Sequence, residues 1–170
     1  MIQEIKLSCM QDFWAKSFWS NEEIDYSYSM SREVSGGIIT LWKKGKVKKV
    51  CSFKSEGYLG IKFLWKNHIY YLVNAYSSCN INEKKLLSGR LLELKELFRD
   101  GEWIIGGNFN VIKNHRERKW GRLYEDNTET NLIAEFIEKI GLVDIPCKGK
   151  KFSWYSADGK SMSRIDHFLL

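Results

Sequence analysis

Proline is nearly absent from this sequence: Pro146 is the only one in 170 residues, and no stretch rich in glycine, serine or proline could serve as a linker. No internal repeat or low-complexity tract interrupts the chain. Hydrophobic residues make up 44% and charged residues 28%, a balance typical of a protein with a packed core and not of a disordered one. The sequence therefore predicts one domain over residues 1–170.

Close cysteine pairs and long apolar runs are also missing. Cys9, Cys51, Cys79 and Cys147 include no CxxC pair, whereas zinc sites need close ligand pairs and small disulfide scaffolds need denser cysteines. The N-terminus lacks the apolar segment of a secretory signal, and no hydrophobic run is long enough to cross a bilayer. We therefore expect free thiols in a soluble intracellular protein, nuclear or cytoplasmic, with no membrane partner.

Acidic residues are in the minority, with 21 Asp and Glu against 27 Lys and Arg, which gives a formal net charge of +6 and a pI near 9.1. A basic excess suits a polyanionic partner such as nucleic acid, although solvated lysines explain the charge slightly better. The five lysines around Gly45 are better explained as a solvated turn.

Two other clusters mix basic and aromatic residues, which can hold phosphates and stack on bases. For the first cluster, nucleic-acid binding and a solvated loop are equally supported. Its members are His115, Arg116, Arg118, Lys119, Trp120 and Arg122, while the second consists of Lys148, Lys150 and Lys151 near Trp154.

Segments rich in β-branched and aromatic residues predict strands at 38–42, 50–53, 61–65, 68–76, 103–105, 151–155 and 165–170. Apolar spacings of three and four predict helices at about 82–99 and 129–140, the first capped by Asn80 and ended by a left-handed Gly101. The lysine-rich turn at 43–49 is expected to form a hairpin, and 114–128 a long surface loop. Strands alternating with helices indicate an α/β layered domain.

Polar residues end three of these strands, at 74–76 (NAY), 106–110 (GGNFN) and 163–170 (SRIDHFLL). In α/β proteins, sites lie at strand ends because a rigid backbone holds side chains that project into a cleft. Taken one at a time, the three segments are explained better by structural roles than by catalysis. The segment 106–110 would be a turn, 163–170 would form a salt bridge, and 74–76 would be strand residues with satisfied hydrogen bonds.

Together and in this order, the segments resemble the endonuclease/exonuclease/phosphatase superfamily, most closely the endonuclease domain of LINE-type (non-LTR) retrotransposons. The "GGNFN" at 106–110 is similar to the family's "GGDFN", and "SRIDHFL" at 163–169 to "SRLDRFL". Weaker similarities lie in "IQEIKL" at 2–7, "SGGI" at 35–38, "VNAY" at 73–76 and "KKFSW" at 150–154.

The resemblance implies a four-layer α/β sandwich, in which two packed β-sheets have helices outside, and Mg²⁺-dependent hydrolysis of a phosphodiester. In the family this reaction usually nicks DNA to prime reverse transcription. Carried over by position, the metal ligand would be Glu4. The catalytic positions would be Asn108, where the family acid orients or deprotonates the attacking water, Tyr76 as phosphate contact or general acid, and Asp166 as support for a catalytic histidine. Asn110 and Asn74 would bind phosphate.

The sequence departs from the family pattern in three places. Asn108 stands where the family has aspartate, and a neutral amide cannot take a proton from water. The family's first strand, with its asparagine, is absent ahead of Met1, and its closing "SDH" motif is absent before Leu170, so we expect a domain truncated at both ends. His167 is not the histidine of that motif, and we expect it on the surface or at a rim.

Three hypotheses follow. The first is a degenerate retrotransposon-derived endonuclease domain with impaired or lost activity. The second is an active Mg²⁺-dependent nuclease whose terminal segments lie outside these residues. The third is a non-catalytic module that binds nucleic acid, DNA before RNA, through the basic loop. Branches of the superfamily that hydrolyse phosphoinositides or sphingomyelin fit these motifs less well, and the sequence specifies no target site or oligomeric state.

Overall fold

The computed structural model describes residues 1–6, 14, 17–19, 23–30, 36–120 and 128–170. The chain divides into two compact units. Unit 1 consists of Met1–Tyr76 and Arg99–Gly107, and unit 2 of Ser77–Phe98 and Asn108–Leu170. The chain crosses between the units after Tyr76, after Phe98 and after Gly107, and the first and last of these crossings fall at or beside strand ends that the sequence had singled out.

Unit 1 contains two sheets, made of β1 Ile2–Ile5, β2 Ile24–Ser29, β3 Gly37–Lys43, β4 Lys48–Ser55, β5 Tyr58–Trp65, β6 His68–Tyr76 and β7 Glu102–Asn108. The first sheet has the order β1-β3-β2, and both of its strand pairs are antiparallel. In the second sheet β4, β5 and β6 follow one another as antiparallel neighbours, and β7 lies beside β6.

Strand β6 is the centre of the packing in unit 1. One of its faces is fully buried at Tyr71, Val73 and Ala75, while Tyr70 and Leu72 on the other face are partly buried. Tyr71 stacks on Trp103 of β7 at a centroid distance of 5.0 Å. The nearly continuous apolar run in this strand predicts burial of both faces, and the strand bounds agree with the predicted 68–76.

Unit 2 contains two helices that pack on each other, α1 (Ile81–Leu97) and α2 (Thr128–Ile140). Asn80 caps α1, as predicted: its Oδ1 accepts from the N–H groups of Asn82 and Glu83 over 2.8 and 3.4 Å. Lys84, a buried lysine of α1, donates to Oε2 of Glu129 over 2.7 Å and so ties the helices together.

The rest of unit 2 is made of short elements. The strands are β8 Arg118–Lys119, β9 Trp154–Tyr155, β10 Met162–Ser163 and β11 Asp166–Leu169. A 3₁₀ turn at His115–Glu117 leads into β8, which pairs with β10, and β10 pairs in turn with β9. Among the described residues, no helix is long and apolar enough to cross a membrane.

Two packed sheets and two helices among the described residues confirm the predicted α/β class, but several local predictions were wrong. The 43–49 turn is not a hairpin, because β3 and β4 belong to different sheets. Gly101 is not left-handed; α1 ends at Leu97, and a side chain at Gly101 would meet Ile69. The predicted 114–128 loop contains the 3₁₀ turn and β8.

Candidate nuclease-like site

The two glycines of "GGNFN" lie near the end of β7, and the second of them, Gly107, is sterically required. Gly107 has φ +152°, and a Cβ there would lie 1.8 Å from the carbonyl oxygen of Ala75 and 2.4 Å from Nε2 of Gln3. Only glycine adopts this backbone and allows so close an approach. The motif therefore fixes the backbone just before Asn108, the last residue of β7.

Asn108 and Asn110 form a compact turn with Ser77 in unit 2. Oδ1 of Asn108 accepts from the backbone N–H of Asn110 over 2.7 Å, and Asn110 has φ +50°. Nδ2 of Asn110 donates to the carbonyl oxygen of Ser77 over 2.6 Å, and the N–H of Ser77 donates to the carbonyl oxygen of Asn108 over 2.8 Å. Two predicted site residues are thus held together by three hydrogen bonds.

Asp166 is brought to the same part of unit 2. The N–H of Phe109 donates to the carbonyl oxygen of Ile165 over 2.8 Å, which places "GGNFN" beside "SRIDHFL". Oγ of Ser153, in the "FSW" segment, accepts from the N–H groups of Ile165 and Asp166 over 3.1 and 3.2 Å. Three motifs separated in sequence therefore meet around Asp166.

The remaining predicted site residues, Glu4, Asn74 and Tyr76, belong to unit 1. Tyr76 ends β6, and its N–H donates to the carbonyl oxygen of Gly57 over 2.8 Å. Asn74 is fully buried: Nδ2 donates to the carbonyl oxygen of Ile39 over 2.9 Å, and Oδ1 accepts from Nε2 of Gln3 over 2.7 Å. This amide links the two sheets, and its phosphate contact stays a prediction.

Glu4 lies on an irregularity of β1, where the register with β3 shifts between Ile2 and Ile5. Its φ is +60°, and its side chain is exposed. A Cβ at Gly36 would lie 2.2 Å from Cα of Glu4, which explains a glycine before the third strand. The bulge therefore turns a single carboxylate toward solvent.

A buried ionic network in unit 2 escaped the sequence analysis. Arg164 donates from Nη1 to Oε1 of Glu117 over 2.6 Å and from Nη2 to Oδ1 of Asp144, also over 2.6 Å. His167, with no exposed side-chain surface, places Nδ1 3.2 Å from Oδ2 of Asp144 and Nε2 3.4 Å from the carbonyl oxygen of Val111. The expected surface position of His167 was therefore wrong, because an acidic partner holds the ring inside.

The network controls the charge of its members. Burial alone would raise the pKa of Asp144, but hydrogen bonds from His167 and Arg164 hold that pKa well below its usual value. Burial would likewise lower the pKa of Arg164, yet its bonds to Asp144 and Glu117 keep the pKa above its usual value. Both side chains are charged at neutral pH, and each stabilises the charged form of the other.

Glu117, Asp144 and His167 are the one group of three metal-capable side chains among the described residues, with ligand atoms within 4.8 Å of one another. Mg²⁺ does not fit there, because it requires several oxygen ligands and room for water. The guanidinium of Arg164 already bonds both carboxylates, and Nζ of Lys113 lies 3.6 Å from Asp144. Glu4 is not a member of this group, and its role as a metal ligand stays a prediction.

The predicted basic loop lies on the small sheet of β8, β9 and β10. Arg116, Arg118 and Lys119 are exposed, Trp120 is 69% exposed with φ +57°, and Nζ of Lys119 lies 5.9 Å from the centre of its ring. Across β10 lie the exposed rings of Trp154 and Tyr155. Arg122 lies outside the described residues.

Comparison with known proteins yields structural matches only: no family model and no curated protein sequence matches the chain. The endonuclease domain of TRAS1, a telomere-specific non-LTR retrotransposon, matches with a TM-score of 0.63 and 14% identity, over 86% of this chain and 66% of that one. D. rerio TDP2 complexed with a single-strand DNA product matches with a TM-score of 0.59 and 14% identity, over 92% and 65%. An endonuclease/exonuclease/phosphatase family protein from Leptotrichia buccalis matches with 0.57 and 12%, over 99% and 70%.

The chain has the endonuclease/exonuclease/phosphatase fold. Humanised D. rerio TDP2 also matches, and the chain spans 64% of its length, less than two thirds. At identities this low, structural similarity establishes the fold alone. That fold is the one that the ordered motifs of the sequence imply.

Proposed function

We propose that this chain is a retrotransposon-type endonuclease-like domain that contacts DNA and hydrolyses phosphodiesters poorly. The observation that carries the proposal is the environment of Asn108. Its side chain keeps the turn of "GGNFN" by accepting from the N–H of Asn110 over 2.7 Å, a bond that an aspartate makes equally well. The geometry of the motif is kept while the group able to accept a proton is missing.

The size of the defect follows from general base catalysis. A positioned base contributes roughly 10²–10⁴ in rate, and an amide at that place contributes none of it. The family resemblance implies that Glu4 would hold Mg²⁺, which would supply charge neutralisation at the phosphate. An amide at position 108 would orient a water molecule or phosphate oxygen without activating it.

The test is the nicking of supercoiled plasmid with Mg²⁺ against EDTA. Four proteins are compared: the native chain, Asn108→Asp, Asn108→Asp combined with Glu4→Ala, and Asn80→Asp. The last is the matched control, because Oδ1 of Asn80 also accepts from the N–H two residues on, over 2.8 Å. It adds the same negative charge to a similar turn outside "GGNFN".

We expect the native chain and Asn80→Asp to stay at the EDTA background, and Asn108→Asp to nick about 10²-fold faster or more. Glu4→Ala should abolish that gain. The proposal is wrong if the native chain nicks as fast as Asn108→Asp, or if Asn108→Asp, folded by circular dichroism, behaves like Asn80→Asp.

A second candidate function is nucleic-acid binding without catalysis through the basic loop, and the small sheet favours it. Pairing of β10 with both β8 and β9 puts Arg118 and Lys119 in one sheet with the exposed Trp154 and Tyr155. Positive charges beside exposed rings are what unpaired nucleotides require. This candidate predicts salt-dependent binding in EDTA, weakened by Arg116→Ala, Arg118→Ala and Lys119→Ala together.

A further inference from the structure

A second surface in unit 1 combines lysines with aromatic rings at the end of the sheets where β6 begins. We define the lysine-turn surface as Trp42, Lys44, Lys46, Lys48, Lys49, Trp65 and Lys66. Pairing of Lys48 with Leu64 and of Lys49 with Phe63 brings the turn before β4 next to the turn after β5. Two turns that are separated by sixteen or more residues in sequence therefore form one surface.

All charged residues of the lysine-turn surface are positive. Glu56 is the only acidic residue between Gly36 and Asn82 in the sequence. Lys44, Lys46 and Lys48 are exposed, and none of them forms an ion pair with a described residue. Among the described residues, acidic side chains lie near this surface on strand β2, where Asp25 pairs with Trp42 beside Glu23, and ahead of β7, where Asp100 pairs with Lys62. The lysines exceed these acids, so an anion is attracted.

Aromatic rings lie within the same surface. Nζ of Lys66 lies 4.6 Å from the ring centre of Trp65, which is 43% exposed. Nζ of Lys49 lies 5.8 Å from the ring centre of Trp42 and donates to Oγ of Ser27 over 2.9 Å. An exposed tryptophan beside lysines that form no ion pair with a described residue suits a base stacked on the ring with its phosphates near the lysines.

The location separates this surface from Tyr76, a candidate-site residue of unit 1. Within unit 1, Trp65 pairs with His68 at the start of β6, and Tyr76 ends that strand. Eight residue steps of about 3.3 Å put the two ends of β6 roughly 26 Å apart. A strand bound at the lysine-turn surface therefore does not occupy the end of unit 1 that carries Tyr76.

We propose that the lysine-turn surface binds single-stranded nucleic acid without sequence preference, as a second contact for a nucleic acid that the domain engages. The lysines would neutralise successive phosphates, and Trp65 would stack on a base. The inference rests on the proposed function in so far as the nucleic acid is the domain's substrate, but the contact itself needs neither metal nor hydrolysis.

The test measures binding of a fluorescently labelled oligothymidylate of about 30 nucleotides, in EDTA, over a salt series. The variant carries Lys44→Ala, Lys46→Ala and Lys48→Ala. Its matched control removes three exposed lysines elsewhere, Lys54→Ala, Lys85→Ala and Lys139→Ala, so that the net charge changes equally. We expect the variant without Lys44, Lys46 and Lys48 to bind about tenfold more weakly at 0.1 M salt. The slope of log affinity against log salt concentration should be smaller in magnitude by about 2, since each phosphate contact contributes about 0.7.

Trp65→Ala should weaken binding several-fold and Trp65→Phe less, because phenylalanine still stacks. Equal affinities of the turn variant and its control would overturn the inference, as would capture of anionic phosphatidylserine vesicles in preference to the oligonucleotide. If only the variant of Arg116, Arg118 and Lys119 loses affinity, the inference fails while the proposed function stands. If the native chain binds no oligonucleotide or plasmid, both fail.

Discussion

Arg164 donates from Nη2 to Oδ1 of Asp144 over 2.6 Å and from Nη1 to Oδ2 over 3.0 Å, so two buried side chains twenty residues apart form a bidentate ion pair. The same Nη1 donates to Oε1 of Glu117. One guanidinium therefore holds the 3₁₀ turn, the segment after α2 and the start of "SRIDHFL" together. This network adds buried ion pairs to the connections that the small sheet of β8, β9 and β10 makes in unit 2.

Arg164→Ala should lower the free energy of unfolding by about 3–5 kcal/mol, because it leaves two buried carboxylates without their cation. The measurement is urea denaturation followed by tryptophan fluorescence. Arg116→Ala, at an exposed arginine, is the control and should change the free energy by less than about 0.5 kcal/mol. Equal effects of the two substitutions would show that the network contributes little to stability.

Acid should destabilise unit 2 through Asp144. The pKa of Asp144 is lowered in the folded chain, and a carboxylate with a lowered pKa binds protons more readily when the chain unfolds. Its contribution is therefore complete above the unfolded pKa of about 4 and is lost as the pH falls through that value toward the folded pKa. Urea midpoints should fall more steeply below about pH 5 in the native chain than in Asp144→Asn. Parallel curves for the two proteins would contradict the assignment, and Glu135→Gln, at an exposed glutamate, serves as control.

Local patterns in the sequence predict both described helices and the strands β3 to β7, β9 and β11, but they miss β1, β2, β8 and β10. The run from Tyr70 to Val73 packs in β6, and the stripe that contains Leu87 and Leu91 faces inward in α1. Asn80 caps α1 because capping depends only on the N–H groups of the next turn. Such features need no knowledge of distant segments.

The ionic network could not be predicted in this way. Glu117 and Arg164 lie forty-seven residues apart, and nothing in the sequence near either one names its partner. In the sequence, Glu117 stands between Arg116 and Arg118 and is interpreted as an acidic residue that lowers the net charge of a basic loop. His167 is interpreted as an exposed residue at a strand end. The ordered motifs did place Asn108, Asn110 and Asp166 in one region, because similarity to a family carries long-range information that periodicity lacks.

Gly107→Ala should be severe because the added Cβ would lie 1.8 Å from the carbonyl oxygen of Ala75. Gly149→Ala is a matched control: its φ is also positive, +88°, but nothing lies within 4 Å of the added Cβ. We expect the control to lose about 1 kcal/mol from backbone strain alone and Gly107→Ala to lose at least twice that, about 2–4 kcal/mol. Urea denaturation separates the two, and equal losses would mean that the backbone moves apart at little cost.

Asn74→Ala distinguishes a structural amide from a phosphate ligand. The substitution removes the bond to the carbonyl oxygen of Ile39 and the acceptor for Nε2 of Gln3, and it leaves buried polar groups unsatisfied. We expect unfolding free energy to fall by about 2–3 kcal/mol, with DNA affinity per folded molecule unchanged. Asn82→Ala, at an exposed asparagine of α1, is the control for the change of residue type. The measurements are urea denaturation and plasmid binding in EDTA under conditions where both variants are folded. A stable Asn74→Ala that binds DNA more weakly would instead support the phosphate contact implied by the family resemblance, and the sheets would then have to separate enough to expose an amide that is now fully buried.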